Sequence, residues 1–153
     1  MSDATRTVLR STVVDAPVDA VWAVIRDFGD WSWFPAVESN VLLADGRGDR
    51  PQSVRDLNGG AAHERLLGLD DDAHVITYTL DTAVWPPVRN YLAQISLHRV
   101  TDGDCAFIHW TATFDTDAAE ADQVAAAVGS AVYEAALEGL RARLAATTGR
   151  EAS

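Results

Sequence analysis

The clearest pattern in the chain is an alternation of apolar and polar side chains over residues 105–114, which only Phe107 interrupts. Period-two alternation is typical of a β-strand with one buried face. Residues 75–81 and 91–98 alternate in the same way, and Asp102-Gly103-Asp104 has the residues of a tight hairpin. We therefore predict a run of antiparallel strands through the middle of the chain. Less regular strands are predicted at 37–44, 52–57 and 61–69.

A short helix is predicted before these strands. Pro17 suits the first turn of a helix because its φ is pre-set and it has no N–H to leave unpaired. Apolar residues then recur at i, i+3, i+4 and i+7, the spacing of one buried helix face. They are Val18, Val21, Trp22 and Ile25. The segment 30–35 that follows is rich in aromatic residues, and we expect a second short helical turn there, with some of its rings covered.

A long helix is predicted at the C-terminal end, over about 117–146. Asp117, with Glu120 three residues later, is a variant of the capping box. The inward stripe of this helix is Val124, Val128, Val132, Ala136, Leu140 and Leu144. Many residues near that stripe are Ala or Gly, which either permit close contact between helix and sheet or leave room for a ligand. The pattern alone favours close contact.

Composition narrows the functional classes. The chain has 153 residues, 48% of them hydrophobic, so we expect a single globular domain over 1–153. A net charge of −11 argues against nucleic acid as a partner, because such binding relies on clustered cations. All twelve basic residues are arginine, so lysine Schiff-base chemistry is excluded.

Location and metal content are predicted from absences in the sequence. No apolar run is long enough for a membrane span and no signal peptide is visible at the N-terminus, so we expect a cytoplasmic protein. The single Cys105 excludes an internal disulfide. We predict no metal and no cofactor, since the histidines fall in outer phases or turns without metal-like spacing. They are His63, His74, His98 and His109.

The order of elements, together with particular segments, resembles the START-related helix-grip (SRPBCC) superfamily. That superfamily includes bacterial polyketide cyclase/dehydrase-like proteins and, more distantly, the plant abscisic acid receptors. The segments that carry the resemblance are VDAPVDAVWAVIRDFGDWSWFPAV at 14–37, SVRDL at 53–57, HERLLGLDDD at 63–72, RNY at 89–91 and the Trp110 strand. The resemblance implies an α+β helix-grip fold, in which a curved antiparallel seven-stranded sheet wraps the C-terminal helix in the order β-α-α-β-β-β-β-β-β-α. It also implies a ligand cavity between the sheet and the helix.

The resemblance implies a catalytic set on the cavity wall. Glu64, Tyr91 and Arg55 match family positions that point into the cavity. Tyr91 shares its phase with Ala93, and the phase of Glu64 is compatible with an inward position. A buried carboxylate needs a partner, for which Arg55 is the candidate. Glu64 with Arg55 is thus either catalytic or a structural ion pair that fixes strand register, and the sequence favours neither.

Other positions are candidates for contact with the ligand. Trp33 and Trp85 flank loops near the expected entrance, although a loop Trp is more often a cover over the core. Tyr78 lies in the inner phase, where its hydroxyl would meet a ligand or only a neighbouring strand. The full set of predicted ligand-binding residues is Trp33, Glu38, Leu57, Tyr78, Leu80, Trp85, Trp110, Val128, Val132 and Ala136.

Departures from the receptor pattern limit the analogy. Glu38 stands where the receptors have a cavity lysine, which disfavours an acidic ligand held in that manner. The loop at 57–61 is too short to act as the receptors' gate, so hormone reception with a partner phosphatase is not supported. Trp110 stands where the receptors have an acid, which implies a more apolar far end of the cavity.

Two functions remain open at this stage. The first is a cofactor-free cyclase, aromatase or dehydratase of the lyase type, in which Glu64 exchanges protons, Tyr91 or Tyr78 donates to an enolate and Arg55 orients Glu64. The second is a non-catalytic carrier of a small hydrophobic molecule. A protein-binding role is allowed by the acidic surface, although no motif supports it. We expect a monomer or homodimer.

Overall fold

The computed structural model describes residues 2–148. Seven strands, one short helix and a long C-terminal helix follow in the predicted order. The elements are β1 (Asp3–Val14), α1 (Val18–Ile25), β2 (Asn40–Leu42), β3 (Val54–Leu57), β4 (Ala62–Asp70), β5 (Val75–Ala83), β6 (Arg89–Val100), β7 (Cys105–Asp117), α2 (Ala121–Ala127), a π-helical stretch (Val128–Glu134) and α3 (Ala135–Thr148). The last three are continuous and together form the C-terminal helix.

The strands form one antiparallel sheet in the order β1-β7-β6-β5-β4-β3-β2. This confirms the predicted α+β helix-grip architecture. The strands predicted from alternation extend further than expected, since β6 and β7 each continue several residues beyond the alternating segment. The strand expected at 37–44 shrinks to the three residues of β2. None of the described helices is long and apolar enough to cross a membrane.

The second short helix is replaced by turns. After α1 the chain makes hydrogen-bonded turns, in which Phe34 N donates to Trp31 O and Val37 N donates to Phe34 O. The rings in this segment are nevertheless covered, as expected: Trp31, Trp33 and Phe34 are all buried. The aromatic side chains of this segment therefore pack into the core beside the sheet.

The buried faces are those that the periodicities predict. On β7 the inward residues Ala106, Ile108, Trp110, Ala112 and Phe114 are all at most 1% exposed. On α1 the predicted stripe is buried, and its Trp22 indole N–H donates to Asp71 Oδ1 at 2.8 Å. The two periods, two along the strand and 3.6 along the helix, converge on one core.

The start of the C-terminal helix differs from the prediction. Asp117 still belongs to β7, where it pairs with Asp3 of β1, so the helix begins four residues later, at Ala121. The N-cap is Glu120, whose side chain makes no cap hydrogen bond, while Asp117 Oδ1 accepts from Ala119 N. The capping-box prediction was therefore wrong, because Asp117 is paired in the sheet and is not the N-cap of the helix.

The small residues of the C-terminal helix fulfil both predicted roles, at different positions. A Cβ at Gly129 would collide with the Arg10 guanidinium, and one at Gly139 would collide with the carbonyl oxygen of Trp33, so both glycines permit close contact. Ala131, between Val128 and Val132, instead borders open space. Close packing and room for a ligand therefore coexist along one helix.

Candidate functional site

A cavity of about 380 Å³ opens between the sheet, the aromatic turn after α1 and the C-terminal helix. Its wall is mostly apolar, which suits a small molecule with little exposed polarity. The lining residues are Trp31, Phe34, Ala36, Val37, Leu57, Asn58, Ala61, Ala62, Glu64, Leu80, Val84, Trp85, Pro86, Tyr91, Val128, Ala131 and Val132.

Few polar groups on this wall are available to a ligand. The Asn58 amide is occupied by backbone, because its Oδ1 accepts from Glu38 N at 2.6 Å and from Ser39 N at 3.1 Å while its Nδ2 donates to Ala36 O. Apart from the indoles of the lining tryptophans, this leaves Glu64 and Tyr91 as the polar side chains of the described wall. These two groups are therefore the candidates for polar contact with a ligand in the cavity.

Glu64 is held by Arg55 on the neighbouring strand. The two residues are direct partners in the β3–β4 register, and both side chains are buried. Arg55 Nε lies 2.8 Å and Nη2 lies 2.5 Å from the same carboxylate oxygen, Glu64 Oε1. No described residue donates a hydrogen bond to Oε2. One oxygen is thus fixed, and the other has no protein partner in the described part of the chain.

Arg55 is itself fixed among aromatic rings and lies away from the cavity lining. Its guanidinium carbon lies 3.9 Å from the centroid of the Phe28 ring, 4.2 Å from that of Trp31 and 5.5 Å from that of Tyr78. Nη1 also donates to Phe28 O at 3.3 Å. Such stacking suits a guanidinium better than an ammonium, because the guanidinium is planar and weakly hydrated. Arg55 therefore positions Glu64 from behind.

Burial raises the pKa of the Glu64 carboxyl above its ordinary value, and the nearby Arg55 charge and its hydrogen bonds oppose that rise without cancelling it. The cause is the loss of water around a carboxylate whose neighbours are mostly apolar. A raised pKa makes a carboxylate a stronger base, which favours its use as a proton acceptor.

Three tyrosines form a buried cluster next to Glu64. The Tyr91 and Tyr133 hydroxyls are hydrogen-bonded to each other, and Tyr78 OH accepts from Trp110 Nε1 at 3.1 Å. Burial raises the pKa of all three phenols well above the ordinary value, and the negative charge of Glu64 adds to the rise. They are therefore neutral hydrogen-bond donors at neutral pH.

The structure brings most of the predicted set to the cavity wall. Glu64 and Tyr91 lie there with five of the predicted ligand-binding residues. These five are Leu57, Leu80, Trp85, Val128 and Val132. Trp85 is 46% exposed at the rim, so the preference for a core position was wrong for this residue.

Four other predicted ligand-binding residues lie in the solid core and do not line the cavity. Trp110 stacks on Tyr133 at 4.3 Å between ring centroids and lies 6.3 Å from Trp33, so aromatic rings fill what was expected to be the far end of the cavity. Tyr78 bonds to Trp110 in the same cluster. Ala136 is fully buried but not on the cavity wall. Inner phase identifies the inward face of a strand or helix; it does not reveal where on that face packing ends.

Glu38 is exposed at the rim, outside the cavity. Its backbone N–H is held by Asn58, and strand pairing starts only at Asn40, so the segment before β2 runs along the edge with the carboxylate in solvent. Arg55 is also absent from the lining, for the reason given above. These two positions correct the predicted site.

Sequence reasoning missed Trp31, Phe34 and Tyr133. The first two were recognised as covered aromatics without being assigned to the cavity, where they form part of the wall. Tyr133 was passed over because the i+4 stripe selects Val132. A signal existed, since Tyr133 opens a second apolar row spaced four, three and four that continues through Leu137, Leu140 and Leu144.

Comparison with known proteins places this geometry in a wider group. The family model described as polyketide cyclase / dehydrase and lipid transport matches residues 5–145. A solved structure of a protein from Nitrosospira multiformis is 31% identical, covers 90% of this chain and 94% of that one, and has a TM-score of 0.80. One from Thermobifida fusca is 27% identical, covers 91% and 93%, and has a TM-score of 0.81.

A more distant likeness extends to plant proteins. A point mutant of norcoclaurine synthase from Thalictrum flavum, solved in complex with a transition-state analogue, is 14% identical, covers 97% of this chain and 99% of that one, and has a TM-score of 0.73. At this identity the likeness concerns the fold alone.

Proposed function

The chain belongs to the polyketide cyclase / dehydrase and lipid transport family, and on this basis we propose that it binds a small apolar, mainly aromatic molecule in the cavity and transfers protons on it without a cofactor. The reaction would be of the cyclase, aromatase or dehydratase type. Glu64 is the proposed proton acceptor and donor, Tyr91 the proposed hydrogen-bond donor and Arg55 the residue that positions Glu64.

One observation carries this proposal: a buried carboxylate on an apolar wall has one oxygen fixed and the other unpaired. Arg55 occupies Glu64 Oε1 through both contacts, and no described residue occupies Oε2. A structural ion pair has no need to leave an oxygen on a cavity surface, whereas a general base needs a fixed orientation and a free lone pair. The raised pKa of Glu64 fits the same role.

The proposed chemistry begins with a carbon acid. Glu64 Oε2 accepts a proton from a carbon next to a carbonyl, and the C–H electron pair moves to the carbonyl oxygen as an enolate. Tyr91 stabilises that oxygen through its hydroxyl. The enolate carbon then either attacks a second carbonyl to form a C–C bond or expels a β-hydroxyl group. Glu64 returns the proton to the oxygen atom formed or released, so the carboxylate is regenerated.

The wall also supports a preference among substrates. The cation nearest to the cavity, Arg55, is already paired with Glu64 and lies behind it. A ligand carboxylate would therefore meet a carboxylate instead of a free cation, which is unfavourable in an apolar setting. The proposed substrates are neutral.

The test uses 2-tetralone, a neutral bicyclic ketone with an acidic C–H between its ring and its carbonyl. Deuterium exchange at that carbon in D₂O, followed by proton NMR, reports proton abstraction without requiring the natural substrate. We expect Glu64→Gln to lower the protein-catalysed rate at least about tenfold, the lower end of what general-base catalysis contributes. Glu138→Gln, the same change at an exposed helix position, serves as the control and should leave the rate unchanged.

The second candidate function is that of a non-catalytic carrier of a small hydrophobic molecule. The aromatic rings around Arg55 favour it. Three rings and a backbone carbonyl fix the guanidinium, as expected if the ion pair only secures the β3–β4 register. In that case N-phenyl-1-naphthylamine, a neutral fluorescent probe, would bind to wild type and Glu64→Gln alike, and neither protein would accelerate exchange. Equal exchange rates in the two proteins contradict the catalytic role.

A further inference from the structure

We infer that Tyr133 of the C-terminal helix is a positioning residue that directs the Tyr91 hydroxyl into the cavity, and that the resulting donor selects neutral ligands carrying a ketone or phenolic oxygen. This inference rests on the proposed function in one respect, that the cavity takes a small aromatic molecule. It adds a residue outside the cavity wall, and it extends the acceptor of the Tyr91 hydroxyl from the enolate oxygen of the reaction to the ketone or phenol oxygen of a bound ligand.

The backbone of the helix explains how Tyr133 comes to face inward. Val128 and Tyr133 are five residues apart and mark the two inward ends of the π-helical stretch. In an α-helix, positions i and i+5 point in different directions, whereas the wider turn of a π-helix, with its i→i+5 hydrogen bonds, brings them closer to one face. Both residues are accordingly buried, at 1% and 0% exposure. π-helical turns are rare and are frequently found at functional sites.

The ring of Tyr133 is held rigidly. It stacks on Trp110 with 4.3 Å between ring centroids and 14° between planes. Tyr91 is stacked in turn on Phe114, at 6.1 Å and 20°. The two hydroxyls that meet between these stacks are therefore fixed from both sides, which reduces the entropy lost when they bind a ligand.

The hydrogen bonds among the three tyrosines limit which hydroxyl protons are available to a ligand. Trp110 Nε1 is able only to donate, so it makes Tyr78 OH an acceptor, and the Tyr78 proton is directed back into the cluster. Tyr133 is fully buried and does not line the cavity, so its proton must also be used inside the cluster. Its hydroxyl is hydrogen-bonded to that of Tyr91, and either oxygen is able to be the donor. The direction that we infer is from Tyr133 to Tyr91, which leaves the Tyr91 proton for the cavity.

This arrangement defines the ligand feature. Tyr91 is the member of the cluster that lines the cavity, and a neutral phenol that already accepts a hydrogen bond is a stronger donor to the next acceptor. Glu64 is the neighbouring polar group on the wall, and its negative form repels anions. The acceptor that fits is the oxygen of a neutral molecule, such as a ketone or a phenol.

The test compares two molecules with one frame. 2-Tetralone and tetralin differ in the carbonyl oxygen, and each displaces N-phenyl-1-naphthylamine if it occupies the cavity. We expect wild type to favour 2-tetralone by about fivefold, as one neutral hydrogen bond provides. Tyr91→Phe should abolish that preference, and Tyr133→Phe should reduce it by about twofold or more. Thr7→Val, which removes a hydroxyl on the outer face of the sheet, should preserve it.

A spectroscopic measurement separates positioning from a merely structural role. With ¹³C at the carbonyl of 2-tetralone, the infrared carbonyl band of the bound ketone should lie at lower frequency in wild type than in Tyr91→Phe, with Tyr133→Phe in between. Tetralin affinity should be the same in all three proteins, which shows that the cavity is intact.

The outcomes separate this inference from the proposed function. The inference is overturned if Tyr133→Phe has the carbonyl band and the affinity ratio of wild type. It is also overturned if wild type binds the two molecules equally. Neither result affects proton abstraction by Glu64, which the exchange assay tests separately. Failure of both molecules to displace the probe overturns ligand binding in the cavity and this inference with it. A loss of preference in Tyr133→Phe supports the inference even if Glu64→Gln exchanges at the wild-type rate.

Discussion

Two arginine–carboxylate pairs lie in different regions of the molecule, one at the surface junction of α1 with the β4–β5 turn and one on the cavity wall. At the surface, Arg26 Nε lies 2.8 Å from Asp71 Oδ1 and Nη2 lies 3.0 Å from Oδ2. On the wall, Arg55 Nε lies 2.8 Å from Glu64 Oε1. The primary contacts are equal in length.

The pKa values of the two carboxyl groups are nonetheless shifted in opposite directions. Hydrogen bonds from Arg26 and Trp22 lower the pKa of Asp71 to about 2, whereas burial raises the pKa of Glu64 despite its arginine. Asp71 is exposed to solvent, whereas Glu64 is buried. At Glu64 the loss of solvation therefore raises the pKa by more than the contact with arginine lowers it. The comparison shows that burial, and not the ion pair, sets the direction of the Glu64 pKa shift, which is the direction that the proposed proton transfer requires.

The largest effect should follow from removing the cation on the wall. Arg55→Met leaves Glu64 buried without a partner, and we expect it to lower the free energy of unfolding by about 3–5 kcal/mol at neutral pH. Urea denaturation measures this change. The double variant Arg55→Met/Glu64→Gln should recover much of the loss, because no buried charge remains. A loss below about 1 kcal/mol in Arg55→Met would show that water still reaches Glu64.

The aromatic enclosure of Arg55 should have the next largest effect. Phe28→Leu removes the ring closest to the guanidinium, at 3.9 Å, and a desolvated contact of this kind contributes about 2 kcal/mol. Phe114→Leu is the matched control, since Phe114 is equally buried and none of the described guanidinium groups lies over it. Equal destabilisation of the two variants in urea would mean that Phe28 acts through packing alone.

The two carboxylates should respond to pH with opposite signs. Asp71 has a lowered pKa, so its contribution to stability is present above its ordinary value of 3.8 and is lost as pH falls towards about 2. Glu64 has a raised pKa, so its contribution is present below its ordinary value of 4.5 and is lost as pH rises through the folded value.

Thermal unfolding of three proteins checks these signs. The melting temperature of wild type minus that of Asp71→Asn should shrink as pH falls below about 4. The melting temperature of wild type minus that of Glu64→Gln should decrease as pH rises above about 4.5. Two differences that move in the same direction with pH would contradict the comparison.

The smallest effect should come from the surface pair. Arg26→Met is expected to leave the urea midpoint nearly unchanged, because exposed ion pairs contribute little and salt screens them. Any difference from wild type should diminish in 1 M NaCl. A loss comparable to that of Arg55→Met would mean that the junction of α1 with the β4–β5 turn is more important to the fold than its exposure indicates.

Much of the fold could be predicted because periodicity records which side of an element is buried. The alternation on β7 and the stripe on α1 were confirmed residue by residue, and the SRPBCC resemblance was confirmed by the family match. The ends of elements were less predictable, since pairing of Asp117 in the sheet delays the helix. Local sequence does not show which neighbour will compete for a residue.

The site was only partly predictable, for a related reason. Glu64 and its predicted partner Arg55 are together, and Tyr91 lies on the wall as expected. Trp110 and Tyr78 have the right phase but lie where rings fill the interior. Tyr133 lies off the i+4 stripe of the C-terminal helix, and only a second apolar row, through Leu137, Leu140 and Leu144, indicates that it faces inward. Whether a residue on an inward face meets a ligand depends on the shape of the element opposite.

The most direct test of the account is the titration of the Glu64 carboxyl itself. The chain contains six glutamates, so ¹³C labelling of glutamate side chains gives a small set of carboxyl resonances, and Glu64→Gln identifies the one from Glu64. We predict that this carboxyl titrates above its ordinary pKa of 4.5. A midpoint at or below 4.5 would contradict it, because Glu64 would then be a paired, solvated carboxylate like Asp71.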